Sequence, residues 1–136
     1  MRPTNRAATL LSALIFGLAP LQGVAQTEKV PEAVISLQCG GIGKDESQRM
    51  LAEAGMHSLM ILFVTADGSY LSDIATRIDE PQKGLSTEAL CGPVGLVDVP
   101  SPGRYRVTAT YNGHAQERWV DLESRGAARL ELRWAE

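Results

Sequence analysis

The segment from Val97 to Leu122 constrains the fold more than any other part of this 136-residue chain. Residues 100–103 and the dipeptide Asn112-Gly113 are turn signals, and Asn-Gly strongly favours a two-residue type I′ hairpin. Between the two turns, apolar and polar residues alternate with the period of two that a half-buried strand requires. The segment therefore predicts three antiparallel strands joined by two tight turns.

The Asn-Gly turn also predicts the register of the second hairpin. A two-residue turn pairs Tyr111 with His114, and every further pair follows from that one. The apolar side, which includes Tyr105 and Val120, then faces the core. The opposite side is polar apart from one tryptophan, which we expect to stack over an arginine, and it remains free to contact other molecules. The candidate interaction face comprises Arg104, Arg106 and Trp119.

Further strand patterns are separated by turns throughout the chain. They cover residues 32–38, 58–64, 70–78, 88–91, 93–99 and 128–134, and 79–87 has the composition of a loop. Residues 58–64 are almost continuously apolar, which predicts a central strand covered on both faces. Frequent short strands with turn signals predict a mainly β fold, an antiparallel β-sandwich of about seven strands.

One helix is expected, near residues 45–55. Asp45 has the residue type and position of an N-cap, and Gln48 three residues later would complete a capping box. Gly55 suits the C-terminal end of such a helix. The glycines that precede it, from Gly40 to Gly43, lack the spacing and the hydroxyl residue of a nucleotide-binding loop.

The N-terminus has the pattern of a secretory signal peptide. Arg2 and Arg6 precede a short apolar run, and Gly23-Val24-Ala25 supplies small residues for cleavage. The apolar run is too short for a membrane anchor, so we expect no membrane insertion after cleavage. The sequence thus predicts a signal peptide at residues 1–25, a single β-sandwich domain at residues 26–136, and a periplasmic location.

The charge balance argues against nucleic acid as a partner. Residues 1–25 carry two of the 13 basic residues and none of the 16 acidic ones, so the mature chain has a net charge of −5. Binding to a phosphate backbone would require a basic surface. An unknown protein or small ligand is therefore the expected partner.

Two cysteines, Cys39 and Cys91, are present. An even number of cysteines in an exported chain favours a disulfide between them, which would close a long loop of the chain. The alternative is a redox or metal pair. The chain has no C-x-x-C motif, and neither histidine lies at metal-ligand spacing from a cysteine.

No complete catalytic set is evident. The two histidines, His57 and His114, lack a neighbouring nucleophile motif, and a metal site would need the fold to unite them with an acidic residue. We therefore expect no catalytic residue, no cofactor and no metal. The aromatic residues could form a binding platform, although most aromatics on a sheet belong to the core.

The segment Val99–Gly113 resembles the Pro-Gly-x-Tyr turn and alternating strand of carboxypeptidase regulatory-like domains, which share a transthyretin-like (prealbumin-like) sandwich. The chain is similar, over roughly residues 36–134, to a group of small proteobacterial periplasmic proteins of that type. The matching pieces are the hairpin, Gly40–Gly43 with the acidic Asp45-Glu46, Leu59–Val64 and Gly68–Leu71. The resemblance implies a non-catalytic accessory or interaction module.

Two enzyme families built on related sandwiches differ from this chain. Hydroxyisourate hydrolases end in Tyr-Arg-Gly-Ser, whereas this chain ends in Leu132–Glu136, and the spacing of the histidines does not supply the iron ligands of intradiol dioxygenases. The sequence therefore predicts an exported, non-enzymatic binding or interaction module. The alternatives are a subunit of a cell-envelope assembly and a metal-binding protein or enzyme.

Overall fold

The computed structural model describes residues 33–135, and the predicted signal peptide lies outside the described residues. Eight strands and one α-helix form the fold. In chain order they are β1 (Ser36–Gly40), α1 (Lys44–Ala52), β2 (Leu59–Thr65), β3 (Ile74–Glu80), β4 (Leu85–Cys91), β5 (Val94–Asp98), β6 (Gly103–Tyr111), β7 (His114–Leu122) and β8 (Ala128–Trp134). Short 3₁₀ helices occupy Ala54–Met56 and Pro81–Lys83.

The strands form two four-stranded sheets, which confirms the predicted β-sandwich. The first sheet has the order β1-β5-β2-β8 and the second has the order β4-β3-β6-β7. Neighbouring strands are antiparallel except for β2 and β8, which are parallel. Residues 79–87, expected to be a loop, instead extend β3, form the 3₁₀ helix Pro81–Lys83 and begin β4.

The core lies between the two sheets. Leu59, Ile61 and Phe63 of β2 are fully buried and belong to the same cluster as Tyr105 and Val107 of β6. Residues on alternate positions of a strand point to opposite faces, so these side chains can meet across the sandwich. This contact confirms that the apolar side of the β6–β7 hairpin faces the core.

Helix α1 covers the outer face of the first sheet. Met50 from the helix and Ala54 after it pack with Met60, Val94 and Leu96 in a second apolar cluster. Strand β2 therefore has a buried side chain at nearly every position, as its continuous apolar sequence predicted.

The predicted capping of α1 is wrong. The helix begins at Lys44 with Gly43 as N-cap, and no side chain caps it, so Asp45 lies inside the first turn. Glu46 instead turns back, and its Oε2 accepts a hydrogen bond from Gly41 N at 2.8 Å. The carboxylate next to Asp45 thus fixes the glycine segment.

Ala66-Asp67-Gly68 is a hairpin turn signal, but the chain leaves β2 there through a tight turn without forming a hairpin. Ser69 N donates to Asp67 Oδ1 at 3.1 Å, and a single bridge pairs Val64 with Tyr70. The chain then crosses to the second sheet, where β3 begins at Ile74 after Asp73, whose φ is 60°. Burial of Ile74 in the sandwich core requires this change of direction.

A disulfide joins Cys39 of β1 to Cys91 of β4, as the cysteine count predicted. Their Cα atoms are 4.9 Å apart, within the range that a disulfide spans. A glycine follows each cysteine, which predicts flexible turns at both, but both cysteines lie in strands. β1 and β4 are edge strands of different sheets. The bond therefore ties the two sheets together at one side.

None of the helices in the described residues has the length and hydropathy needed to cross a bilayer.

Candidate functional site

The interaction face predicted from the sequence, Arg104, Arg106 and Trp119, lies on the outer face of the second sheet. Arg106 pairs with Trp119 across β6 and β7, and Arg104 pairs with Asp121. The register from Tyr111–His114 to Gly103–Leu122 is the one predicted from the Asn-Gly turn. Asn112 and Gly113 both have positive φ, at 49° and 79°, as a type I′ turn requires.

Two guanidinium groups lie over the ring of Trp119. The Cζ atoms of Arg106 and Arg104 are 5.2 and 5.8 Å from the ring centroid, within the range of a cation–π contact. Trp119 nevertheless remains 42% exposed. We call these three residues, Arg104, Arg106 and Trp119, the Trp119 cluster.

Asp79 holds Arg106 in place. Nε and Nη2 of Arg106 donate to Oδ1 and Oδ2 of Asp79 at 3.0 and 2.6 Å, which is the bidentate geometry of a strong arginine–carboxylate pair. Asp79 is only 3% exposed. A buried carboxylate without a partner would be costly. The pair with Asp79 therefore holds the Arg106 guanidinium in one position against the ring of Trp119.

The charge of Arg106 is secured by the same contact. The hydrogen bonds that Arg106 donates to Asp79 raise the pKa of Arg106 above its ordinary value, against the opposing effect of burial, and the charges of Asp79 and Glu117 add to the rise. Glu117 Oε2 lies 3.7 Å from Arg106 Nη1. Arg106 therefore serves as a permanent cation whose position is set by its neighbours.

A cleft lies beside the cluster, between the 3₁₀ helix Pro81–Lys83 and the start of the β6–β7 hairpin. Its volume is about 450 Å³. We call it the Lys83 cleft; it is lined by Glu80, Pro81, Gln82, Lys83, Gly103, Arg104 and Trp119. Two members of the Trp119 cluster thus form one wall of a concave site.

The polar groups in and beside the Lys83 cleft are hydrogen-bonded. Glu80 is buried, and its carboxylate accepts hydrogen bonds from the backbone N–H groups of Gln82 and Lys83, both at 3.1 Å. Lys83 Nζ donates to Ser101 Oγ at 2.8 Å, and Tyr105 Oη donates to Ser101 O at 2.8 Å. The Lys83–Ser101 contact joins the 3₁₀ helix to the turn before β6.

The fold does not unite the two histidines. Ala127 N, just before β8, donates to His57 O, whereas Trp134 Nε1, at the end of β8, donates to His114 O. Seven strand residues separate these points, a distance of about 20 Å. His57 forms its own pair instead, with 2.8 Å between Nδ1 and Asp98 Oδ2.

Within residues 33–135, no group of three or more His, Cys, Asp or Glu side chains converges as a metal site would require. The His57–Asp98 pair supplies two donors at most, fewer than the protein ligands of a stable zinc site.

No protein-family model matches the chain, and a search of curated proteins finds no match either. The resemblance to carboxypeptidase regulatory-like domains therefore stays a prediction.

Sequence analysis placed the Trp119 cluster but missed the residues that support it. Asp79 and Lys83 lie in the segment that was interpreted as a loop, and they reach the cluster only because β3 pairs with β6. Their polar residue types concealed a strand end. The acidic residues Asp79 and Glu80, directly after the alternating Ile74–Ile78 pattern, were the available signal, but nothing in them pointed to Arg106.

Proposed function

We propose that this protein is an exported, non-enzymatic binding or interaction module of the periplasm, and that the Trp119 cluster is its contact face. The observation that supports this proposal most strongly is the exposure of Trp119, which is 42% exposed on a polar sheet face. By contrast, Phe63, Tyr105 and Trp134 are buried in the core of the sandwich. Tryptophan and arginine are the residue types most enriched among the energetic anchors of interfaces.

The support beneath Trp119 favours a binding role. A surface tryptophan that merely covered the sheet would need no buried carboxylate. Here Asp79 is desolvated so that Arg106 keeps one orientation. Binding sites gain affinity when their groups are fixed before the partner arrives, because less conformational entropy is lost on association.

Export and periplasmic location are supported by two independent features. Residues 1–25 have the pattern of a cleavable signal peptide. The Cys39–Cys91 disulfide is compatible with an exported protein, because disulfides persist in oxidising compartments such as the periplasm.

Site-specific photocrosslinking in cells tests the proposal. The full chain would carry Trp119→p-benzoyl-L-phenylalanine, which keeps an aromatic group on the face. The matched control is Arg129→p-benzoyl-L-phenylalanine, at an exposed position of β8 in the first sheet. After irradiation, the protein purified from the periplasm is analysed by intact mass.

We expect a discrete adduct at position 119 and none at position 129. If the adduct is a single envelope protein, the result would favour the alternative that this chain is a subunit of a cell-envelope assembly. The contact face would still be the Trp119 cluster. Equal labelling at both positions, or no adduct at position 119, would overturn the assignment of the face.

A further inference from the structure

We propose that the Lys83 cleft binds a carboxylated sugar, with the carboxylate held by Lys83 and Arg104 and the sugar ring lying on Trp119. The inference rests on the proposed function, since it assigns a ligand class to the same face. It is argued from the charges, the aromatic wall and the shape of the cleft.

The Lys83 cleft has two cationic side chains, Lys83 and Arg104. Among the described residues, neither Lys83 nor Arg104 forms an ion pair, whereas Arg106 is already paired with Asp79. Asp121 is the cross-strand partner of Arg104 but makes no ion pair with it. Two cations beside one cleft therefore remain available for an anion.

The acidic residue of the cleft, Glu80, forms no ion pair with Lys83 or Arg104. The Glu80 side chain is directed at the backbone N–H groups of Gln82 and Lys83. Lys83 Nζ uses one donor on Ser101 Oγ, and an ammonium group has three. Lys83 can thus keep its contact with Ser101 and still donate to a bound carboxylate.

The cleft also has an aromatic wall, Trp119. Arg104 and Trp119 line the same cleft, so an anionic group and a flat apolar surface can be contacted together. A sugar acid offers both features, because one face of a pyranose ring presents C–H groups and the carboxylate projects from its edge. Burial of the C–H face against the indole removes apolar surface from water.

The volume and position of the cleft also bear on the kind of ligand that it can hold. A volume of about 450 Å³ lies in the range of small-molecule sites. An extended peptide bound by a sheet usually adds to a free edge. Of the two hairpin strands that line the cleft, β6 is paired on both sides, and the edge strand β7 contributes only Trp119. The rest of the lining is Glu80 and the 3₁₀ helix that follows it. This geometry favours a compact ligand over a peptide strand.

The test is an NMR titration of the folded mature protein that follows the two indole N–H signals, of Trp119 and Trp134. The probes are digalacturonic acid, the neutral disaccharide galactobiose and the peptide triglutamate. Trp134 is almost fully buried, and its N–H donates to His114 O, so its signal is the internal reference.

We expect digalacturonic acid to shift the Trp119 signal and to bind at least about tenfold more tightly than galactobiose, because charged hydrogen bonds are worth that much. Lys83→Gln and Arg104→Gln should each weaken binding by about tenfold or more, on the same reasoning. Trp119→Ala, followed through the backbone amides of β6, should abolish binding. Arg129→Gln, which removes an equal charge from β8, should leave it unchanged.

Three results would overturn the proposal: equal affinity for the neutral disaccharide, an equal loss in Arg129→Gln, or tighter binding of triglutamate. Failure of every sugar probe while position 119 still crosslinks in cells would reject the sugar but keep the contact face. If no sugar probe binds and position 119 does not crosslink in cells, both the contact face and the sugar ligand are rejected.

Discussion

Asp79 is the residue on which the geometry of the Trp119 cluster depends. Its carboxylate is buried and receives two hydrogen bonds from Arg106, and Arg106 in turn lies over Trp119. A charged hydrogen bond contributes more than a neutral one, and its loss leaves the partner charge without compensation. Stability and site geometry are therefore coupled at this position.

Asp79→Asn should lower the free energy of unfolding by about 1.5–3 kcal/mol, the usual range for a hydrogen bond to a charged group. The measurement is urea denaturation followed by circular dichroism. Glu88→Gln is the matched control, since it breaks the Arg77–Glu88 ion pair between two exposed side chains and should cost less than about 1 kcal/mol. Equal losses in the two variants would show that the buried pair does not stabilise the fold.

Asp67 offers a second prediction at this scale. Thr65 Oγ1 donates to its carboxylate, and so does Ser69 N, and these hydrogen bonds lower the pKa of Asp67 below the usual value of an aspartate. Because the folded pKa is lowered, the contribution of the turn to stability is present at neutral pH and is lost as pH falls through the folded pKa.

A carboxyl-carbon NMR titration should place the midpoint of Asp67 below that of an ordinary aspartate. Thr65→Val removes the main hydrogen bond and should move the midpoint back toward the ordinary value. An ordinary midpoint that the substitution leaves unchanged would contradict the contact.

At the scale of elements, the sequence predicts local pairing well and long-range pairing poorly. The register of β6 and β7 follows from Asn112-Gly113, because a two-residue turn leaves one pairing. The β3–β4 pair was missed because buried Asp79 and Glu80 resemble loop residues until their partners are known. Arg106 lies 27 positions from Asp79, so no local pattern reveals that partner.

The same limit applies to the candidate site. Arg104, Arg106 and Trp119 share a face through period-two alternation and a tight turn, both of which are local. Lys83 joins them only through the packing of a 3₁₀ helix against the hairpin. The cleft was therefore beyond the reach of sequence patterns.

The backbone conformation of the β6–β7 turn can be tested by replacing Gly113, with Gly55 outside the turn as the control. Gly113 has a φ of 79°, and nothing lies within 4 Å of a Cβ built there, so Gly113→Ala tests the backbone conformation alone. We expect a loss of about 1–2 kcal/mol. Gly55 also has free space but no positive φ, so Gly55→Ala should be neutral or stabilising by up to about 1 kcal/mol. Similar effects at both glycines, measured by thermal unfolding, would argue against the type I′ turn.

At the scale of the whole molecule, the disulfide connects two sheets that otherwise meet through side chains. Cys39 and Cys91 are 52 positions apart, and closing a loop of that length restricts the unfolded chain by about 4 kcal/mol in the chain-entropy treatment. The bond lies at the β1–β4 side, away from β7 and the Trp119 cluster.

The double variant Cys39→Ser with Cys91→Ser should therefore lose about 4 kcal/mol in urea denaturation. The reduced wild-type protein serves as the control and should unfold at the same urea concentration as the variant. An oxidised protein no more stable than the variant would contradict the stabilising role of the bond.

If the Trp119 cluster is the contact face of this protein, a partner should cover Trp119 in the cell. Hydroxyl-radical footprinting measures this without knowledge of the partner, by comparing intact cells with the purified protein. Tyr70 is the control, because it is 47% exposed and does not belong to the cluster, whereas Trp119 is 42% exposed. We expect the oxidation of Trp119 to fall in cells relative to that of Tyr70. Equal relative oxidation of the two residues in cells and in the purified protein would show that the cluster is not the contact face.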